Sequence, residues 1–260
     1  MSERPHEVAL SQQEVDEILR HCADGPLLVG GQALAFWSVR YGIEPVGALS
    51  TKITSDVDFV GSVSQARKLG AALRWKVWVA SIDDASGQTA KITKLVPGGG
   101  VKQIDYLRAI AGLDTARIQA RAVLVSLPSG ATIRILHPLD VLESRLRNLE
   151  RLASKQNVVG IAQAELAIAV AGKFINDLID SRADKRTLFS AVERIGKIAR
   201  DKGLIRVLVD YQLDPLLAVP VARIDSAAFR SKRWSQIRTE VADLRQKYER
   251  KAARAKSRES

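Results

Sequence analysis

Three aspartates, Asp56, Asp58 and Asp105, are the residues whose type and spacing point most directly to chemistry. Asp56 and Asp58 lie two residues apart in the apolar, β-branched run 54–60, and residues i and i+2 of a strand point to the same face. Two carboxylates held this close repel each other unless a cation binds between them. Their oxygens favour a hard ion such as Mg²⁺ or Mn²⁺, so the pattern predicts a divalent metal site. Without further support, an Asp-x-Asp motif is instead interpreted as the end of a surface strand with two solvated acids.

Asp105 is the best candidate for a third carboxylate at this site. It lies in a second β-like run, 101–107, which follows a Gly-rich turn and forms a predicted hairpin with the run 90–96. Asp84 and Asp114 are rivals, but their surroundings are typical of a turn and of a helix start. The alternative for Asp105 is an acid on an exposed edge strand.

Two glycines follow a short apolar strand and precede a helical pattern. Glycine lets a phosphate approach the backbone closely, and the free N–H groups of a new helix favour an anion. Gly30, Gly31 and Gln32 are therefore a candidate cradle for a triphosphate, with a tight turn packed against the sheet as the alternative. The segment is not a Walker A motif, because no Gly-Lys-Ser/Thr follows.

The segments 30–35 (GGQALA) and 54–59 (TSDVDF), followed by a later strand that carries Asp105, resemble the nucleotidyltransferase superfamily that includes DNA polymerase β. Within it they look most like the AbiEii-type toxin nucleotidyltransferases, and the resemblance covers roughly the first half of the chain. It implies an α+β fold: a nucleotidyltransferase-type mixed β-sheet with flanking helices, followed by an all-helical C-terminal domain. We expect a catalytic domain at 1–136 and a helical bundle with a basic C-terminal helix at 137–260.

The resemblance also implies an activity. Such an enzyme transfers a nucleoside monophosphate from an NTP such as ATP to an acceptor hydroxyl, with two Mg²⁺ or Mn²⁺ ions held by the three catalytic aspartates. The implied acceptor is RNA, first of all the 3′ end of tRNA, and the implied setting is a toxin–antitoxin or phage-defence system with an antitoxin partner. The expected nucleotide-binding residues are Gly30, Gly31, Gln32, Ser55, Arg145 and Arg147. For the two arginines, a solvated basic helix face is the alternative.

The chain is basic, with a net charge of +11 and a sequence pI near 9.9, which favours a polyanionic partner. Residues 230–260 hold eleven Lys or Arg and four Asp or Glu residues. We expect nucleic acid to bind this segment through Lys232, Arg233, Arg245, Lys247, Arg250, Lys251 and Arg254. Two other functions stay open: a degenerate fold that binds nucleic acid without chemistry, and a transferase that modifies a small molecule such as an antibiotic.

Periodicity and turn residues predict the elements. Helices are expected at 11–22, 32–41, 62–73, 114–121, 139–152, 161–178, 185–202, 204–211 and 230–258, and strands at 26–29, 56–60, 75–79, 90–96, 101–107, 122–126 and 132–136. Trp75 and Trp78 could form a stacking platform, but we favour packing on one sheet face.

Cys22 is the single cysteine of the 260 residues, so an internal disulfide is excluded and a structural zinc site is not expected. We interpret it as a buried thiol rather than a nucleophile. No stretch reaches the length and hydropathy expected of a membrane span, so we expect a cytoplasmic protein.

Overall fold

The computed structural model describes residues 6–23, 25–50, 53–81, 83–84 and 87–259 and shows a mixed α/β protein. Within these ranges the α-helices are α1 (Gln12–Arg20), α2 (Gly30–Arg40), α3 (Val63–Leu73), α4 (Thr115–Ala120), α5 (Pro138–Arg151), α6 (Val158–Asp180), α7 (Lys185–Ala199), α8 (Ile205–Asp210) and α9 (Ser235–Glu259). The strands are β1 (Leu27–Val29), β2 (Val57–Val60), β3 (Lys76–Val79), β4 (Gln88–Leu95), β5 (Val101–Leu107), β6 (Val123–Ser126) and β7 (Thr132–Ile135). Short 3₁₀ helices occur at Gly47–Leu49, Ala153–Lys155, Pro215–Ala218 and Val221–Arg223, and a π-helix at Phe229–Trp234 leads into α9.

The strands form one mixed sheet in the order β3-β4-β5-β2-β1-β7-β6. The pairs β2–β5 and β1–β7 are parallel, and the other pairs are antiparallel. Because β1 runs antiparallel to β2, the end of β1 lies beside the start of β2, and Val29 pairs with Asp58. The turn from β1 into α2 is therefore brought next to the Asp-x-Asp segment.

The predicted mixed sheet and helical C-terminal region are confirmed, and no strand follows β7 within the described ranges. Several boundaries differ from the sequence prediction, and three of them lie in elements that border the candidate site. Helix α2 begins at Gly30 rather than Gln32, so the two glycines form its first turn. Strand β2 begins at Val57, which leaves Asp56 just before it. Helix α6 begins at Val158 rather than at 161 because Asn157 caps it, accepting a hydrogen bond from the Gly160 amide at 2.9 Å.

Helix α5 carries the apolar side that its periodicity predicts, and Val141, Leu142, Leu146 and Leu149 are all buried. It packs against α6, and both helices also contact α2 on the sheet. The buried side chains of the sheet region and of the helical region form one continuous cluster. The proposed boundary near residue 136 stays a prediction.

Helix α6 corrects one expectation. It is long and apolar enough to cross a membrane by length and composition, so the prediction that no stretch meets this test was wrong. The core helices of globular proteins pass the same test, and α6 buries Ala164, Val170 and Ile175 among others. The location of the protein in the cell stays a prediction.

Trp75 and Trp78 are three residues apart and lie on opposite sheet faces rather than on one. Trp75 packs partly against the core, with the Lys94 ammonium 5.6 Å from its ring centroid. Trp78 is 43% exposed. The packing interpretation is confirmed for Trp75 and wrong for Trp78.

The Cys22 thiol, just after α1, is only 2% exposed, and burial raises its pKa to about 12. We expect the native protein to react with a thiol reagent such as DTNB at least ~100-fold more slowly than the unfolded chain does, because the thiolate is the reacting species. Absorbance at the released thionitrobenzoate band measures both rates. Equal rates with and without denaturant would contradict burial of this side chain.

Candidate functional site

The structure brings Asp56, Asp58 and Asp105 together. Asp58 on β2 pairs in register with Asp105 on the parallel strand β5, and Asp56 lies one residue before β2. One carboxylate oxygen from each residue lies within 4.8 Å of the other two. Asp105 is on an interior strand between β4 and β2, so the edge-strand alternative is wrong. Such a group of hard oxygen donors can hold a divalent cation.

Burial and the charges of neighbouring carboxylates disfavour the charged forms of Asp58 and Asp105. Burial, followed by the charges of Asp56 and Asp105, raises the pKa of Asp58 to about 7. Burial also raises the pKa of Asp105, although Lys91 opposes the shift. Its Oδ1 atom is buried with no hydrogen-bond partner among the described residues, and the Lys91 Nζ lies 3.6 Å from it. The acids therefore fit a cation, which would stabilise all three charged forms.

The raised pKa of Asp58 makes metal binding depend on pH. Below about pH 7, a divalent cation must displace a proton from Asp58. The affinity for the cation should therefore fall by up to roughly tenfold for each unit by which the pH is lowered. Above that pH the carboxylate is ionised and the dependence should flatten. Calorimetric titration with Mn²⁺ in two buffers of different ionisation enthalpy measures both the affinity and the released proton. Equal affinity across this range would contradict the assignment.

The turn from β1 into α2 lies directly against these acids. Gly30 has a φ of +67°, and a Cβ placed on it would lie 2.0 Å from the Asp58 Oδ2. A Cβ on Gly31 would lie 2.4 Å from that of Thr54. Val29, at the N-cap of α2, makes no side-chain capping bond, so the first amides of this helix are open to an anion. The absence of two side chains thus keeps the helix terminus and the acids in contact.

Gly30→Ala should damage this arrangement. The new Cβ must displace the Asp58 carboxylate, and the left-handed backbone adds strain of about 1–2 kcal/mol. We expect Mn²⁺ affinity to fall at least ~10-fold. Gly42→Ala is the matched control, because Gly42 has a φ of +59° with nothing within 4 Å of a Cβ. If both variants lost stability but bound Mn²⁺ like the original protein, the role given to Gly30 would be wrong.

The helical region contributes cations to the same place. Arg145 on α5 is 7% exposed, and burial lowers its pKa while the charges of Asp58 and Asp56 oppose that shift. Its guanidinium donates to the Gln163 Oε1 at 3.3 Å, and the Gln163 amide donates to the Ile53 carbonyl at 2.8 Å. Gln163 on α6 thus connects Arg145 to the loop that leads to the aspartates. The Arg145 Nε has no partner among the described residues.

These groups border one cleft of about 320 Å³, which is within the range of small-molecule sites. Asp56 and Asp58 line it, and Asp105 lies beside them. Lining residues outside the sequence-predicted set include Thr54, Ser144, Asn148, Lys155, Gln163 and the apolar Leu107, Ile110 and Leu152. Gln163 is a polar residue in an apolar run, and that signal could have revealed it. Lys155 lies outside the helices predicted from periodicity and offered no such signal.

Three predicted nucleotide-binding residues do not line this cleft. Gln32 lies on α2 beyond the glycines, and Ser55 is exposed, with its carbonyl accepting a hydrogen bond from the Leu10 amide. Arg147 donates to Glu150 at 2.8 Å and also forms an ion pair with Asp201. Of the two arginines predicted to bind nucleotide, only Arg145 lines the cleft, because the two side chains leave α5 on different sides.

The predicted nucleic-acid-binding residues divide into two groups. Arg233 forms a pair with Glu193, and Arg245 donates to the Leu213 carbonyl at 2.9 Å with Asp214 nearby, so both connect the C-terminal helix to the body of the protein. The others are exposed: Lys232, Lys247, Arg250, Lys251 and Arg254. An exposed basic surface therefore exists at this end of the chain.

No protein-family model and no curated protein matches this sequence. Among solved structures, the chain is similar to one described as the crystal structure of JHP933 from Helicobacter pylori. The two share 12% sequence identity with a TM-score of 0.37, over 97% of this chain and all of the other. A similarity this low supports no argument about function.

Proposed function

We propose that this protein is a divalent-metal-dependent nucleotidyltransferase that transfers a nucleoside monophosphate from an NTP to an acceptor hydroxyl, with RNA as the acceptor. The observation that carries the proposal is the convergence of three carboxylates beside an uncapped helix N-terminus and a buried arginine in one cleft. The resemblance of the segments 30–35 and 54–59 to AbiEii-type toxin nucleotidyltransferases supports it. We propose that the mixed sheet is of the nucleotidyltransferase type.

Asp56, Asp58 and Asp105 would hold the metal, for which we propose Mg²⁺ or Mn²⁺. When bound, a pair of such ions neutralises charge on the phosphates and lowers the pKa of an attacking hydroxyl. The unpartnered Oδ1 of Asp105 and the raised pKa of Asp58 are the features of this chain that fit the role.

The other polar groups of the cleft would bind the triphosphate. The open amides at Gly30 and Gly31 would receive phosphate oxygens, while Arg145 and Lys155 would neutralise their charge. In the reaction the acceptor oxygen forms a bond to the α-phosphorus, the bond from that phosphorus to the bridging oxygen breaks, and pyrophosphate leaves. Asp105, whose pKa is raised, would accept the proton of the attacking hydroxyl.

The exposed basic residues of α9 favour a nucleic acid as the acceptor, because each contact of a Lys or Arg with a phosphate releases counterions. Following the resemblance, we propose the 3′ end of tRNA, and an antitoxin protein as a partner in the cell. If the acceptor is instead a small molecule, cells carrying the gene should gain antibiotic resistance rather than stop growing.

The direct test is incubation with each of the four NTPs, labelled at the α-phosphate, with total tRNA and either Mg²⁺ or Mn²⁺. We expect labelled RNA that disappears when EDTA is added and when Asp58 is replaced by Asn. Lack of transfer from all four NTPs with either metal would count heavily against the proposal.

A binding module without chemistry is the second candidate, and the ammonium of Lys91 near Asp105 is the observation that favours it. A lysine can neutralise a carboxylate without a metal. The two functions differ in their response to Asp56→Ala, which would abolish transfer by an enzyme but leave RNA binding by a module unchanged.

A further inference from the structure

The sheet register places four side chains in a row that starts at the acid cluster. Asp58 pairs with Asp105, Asp105 pairs with Lys91 on β4, and Lys91 pairs with Trp78 on β3. Paired residues point to the same face of a sheet. Neighbouring strands lie ~4.8 Å apart, so Trp78 is about 10 Å from Asp105 across the sheet surface.

The opposite face of these strands is covered. Gly70 of α3 lies against the side chains of Val77 and Ile92, which alternate with Trp78 and Lys91 along their strands. The face that carries Trp78 is open: its indole is 43% exposed and the Lys91 side chain is 29% exposed. A large aromatic side chain is thus presented to solvent within reach of the candidate site.

We propose that this open face, formed by Lys76, Trp78, Lys91, Thr93 and Gln103 and here named the Trp78 face, binds the single-stranded 3′ end of the acceptor RNA. A base would stack on Trp78, and the terminal hydroxyl would lie at Asp105. The inference rests on the proposed function, because it gives the acceptor strand its position relative to the acids.

The chemistry of the face matches such a strand. A base stacked on an aromatic side chain is bound without regard to its identity, and lysines beside it attract phosphates. Lys76 is exposed one row along from Trp78, and the Lys91 ammonium already donates to the Gln103 Oε1 at 3.1 Å. Glu7, whose backbone bridges Val101, adds one carboxylate whose charge contributes to raising the pKa of Asp105. The positive charge therefore lies on the Trp78 side, where the strand would enter.

Fluorescence separates Trp78 from the other tryptophans. Trp37 and Trp234 are 3% and 7% exposed, and Trp75 is partly buried, so quenching by a ligand in solution should report mainly on Trp78. The 260-residue chain, without metal or NTP, is titrated with a short single-stranded RNA that carries a 5′ fluorophore, and both anisotropy and indole quenching are recorded. We expect saturable quenching, which Trp78→Phe removes while most of the affinity stays.

Trp78→Ala should weaken binding about tenfold, because stacking on an aromatic side chain contributes that much per base. Lys76→Gln should lower the slope of log affinity against log salt by about one, whereas Lys94→Gln, on the covered face, should leave it unchanged. Unchanged affinity in Trp78→Ala, or equally tight binding of duplex RNA, would overturn the inference. A blue shift of the Trp78 emission that depends only on protein concentration would also overturn the inference, because it would show that a second copy of the chain covers the Trp78 face.

This test is independent of catalysis. If Trp78→Ala still transfers label to RNA in a metal-dependent reaction and binds RNA as tightly as the original protein, the proposed path of the RNA strand is wrong. The proposed function would remain intact. The converse result, in which RNA binds through Trp78 but no NTP is consumed, would support the path and favour the binding module.

Discussion

Replacing Asp58 by Asn is expected to abolish divalent-metal binding and, at the same time, to make the metal-free protein more stable. The reason for the first effect is the loss of one of three converging carboxylates. The proposed nucleotidyl transfer should fall by about 10³-fold or more, because a bound metal contributes several kcal/mol to stabilising charge in phosphoryl transfer.

The reason for the second effect is the raised pKa of Asp58. The folded-state pKa is about 7, above the ordinary value of 3.8, so the folded state binds the proton more tightly and loses stability as the pH rises from about 4 to 7. An Asn side chain is uncharged throughout this range. One pKa unit corresponds to ~1.4 kcal/mol, and we expect a gain of about 2 kcal/mol near pH 8.

Thermal or urea unfolding at about pH 8 with EDTA, together with Mn²⁺ calorimetry, measures both effects. Asp225→Asn is the matched control, because it makes the same chemical change on an exposed residue and should alter neither quantity. A destabilised Asp58→Asn protein that still binds Mn²⁺ with the original affinity would exclude the metal site.

Replacing Asp140 by Ala is expected to lower the free energy of unfolding by about 3–5 kcal/mol. Asp140 lies in the first turn of α5 and is fully buried. It accepts two hydrogen bonds from Arg121, at 3.0 and 2.6 Å, and a further one from Arg194 on α7. The side chain therefore joins three parts of the chain. Its removal takes away the ion-pair partner of Arg121 and leaves Arg194 paired with Glu143 alone.

The pKa of Asp140 reflects the opposing effects of burial and of the two arginines. Burial alone would raise it, but the hydrogen bonds from Arg121 and Arg194 outweigh burial and lower the pKa. The stability from this group is therefore present above the ordinary pKa of an aspartate and is lost as the pH falls through the lowered value.

Asp180→Ala is the matched control for this prediction. Asp180 also pairs with an arginine, Arg223, but both side chains are largely exposed, and such a surface pair contributes about 0–1 kcal/mol. Urea unfolding followed by circular dichroism compares the two variants. Equal effects of Asp140→Ala and Asp180→Ala would show that the buried cluster does not hold α5 in place.

Local sequence patterns predict several features of this protein. Three such features depend on backbone geometry over only a few residues. They are the two acids spaced two residues apart, the glycine pair between a strand and a helix, and the apolar stripe of α5. The Ser11 capping box at the start of α1 is of the same kind. Such patterns are visible in the chain because their causes lie within one or two turns of the backbone.

Contacts between residues far apart in the chain depend on how the elements pack together. Asp105 reaches Asp58 through the parallel pairing of β2 and β5, and Gln163 reaches Ile53 across 110 residues. Arg145 and Arg147 look alike in the sequence, yet only Arg145 lines the cleft, because a separation of two residues turns a helical side chain to another side. Trp78 is exposed because α3 covers only one face of β3. These outcomes depend on packing between elements, and no local pattern encodes them.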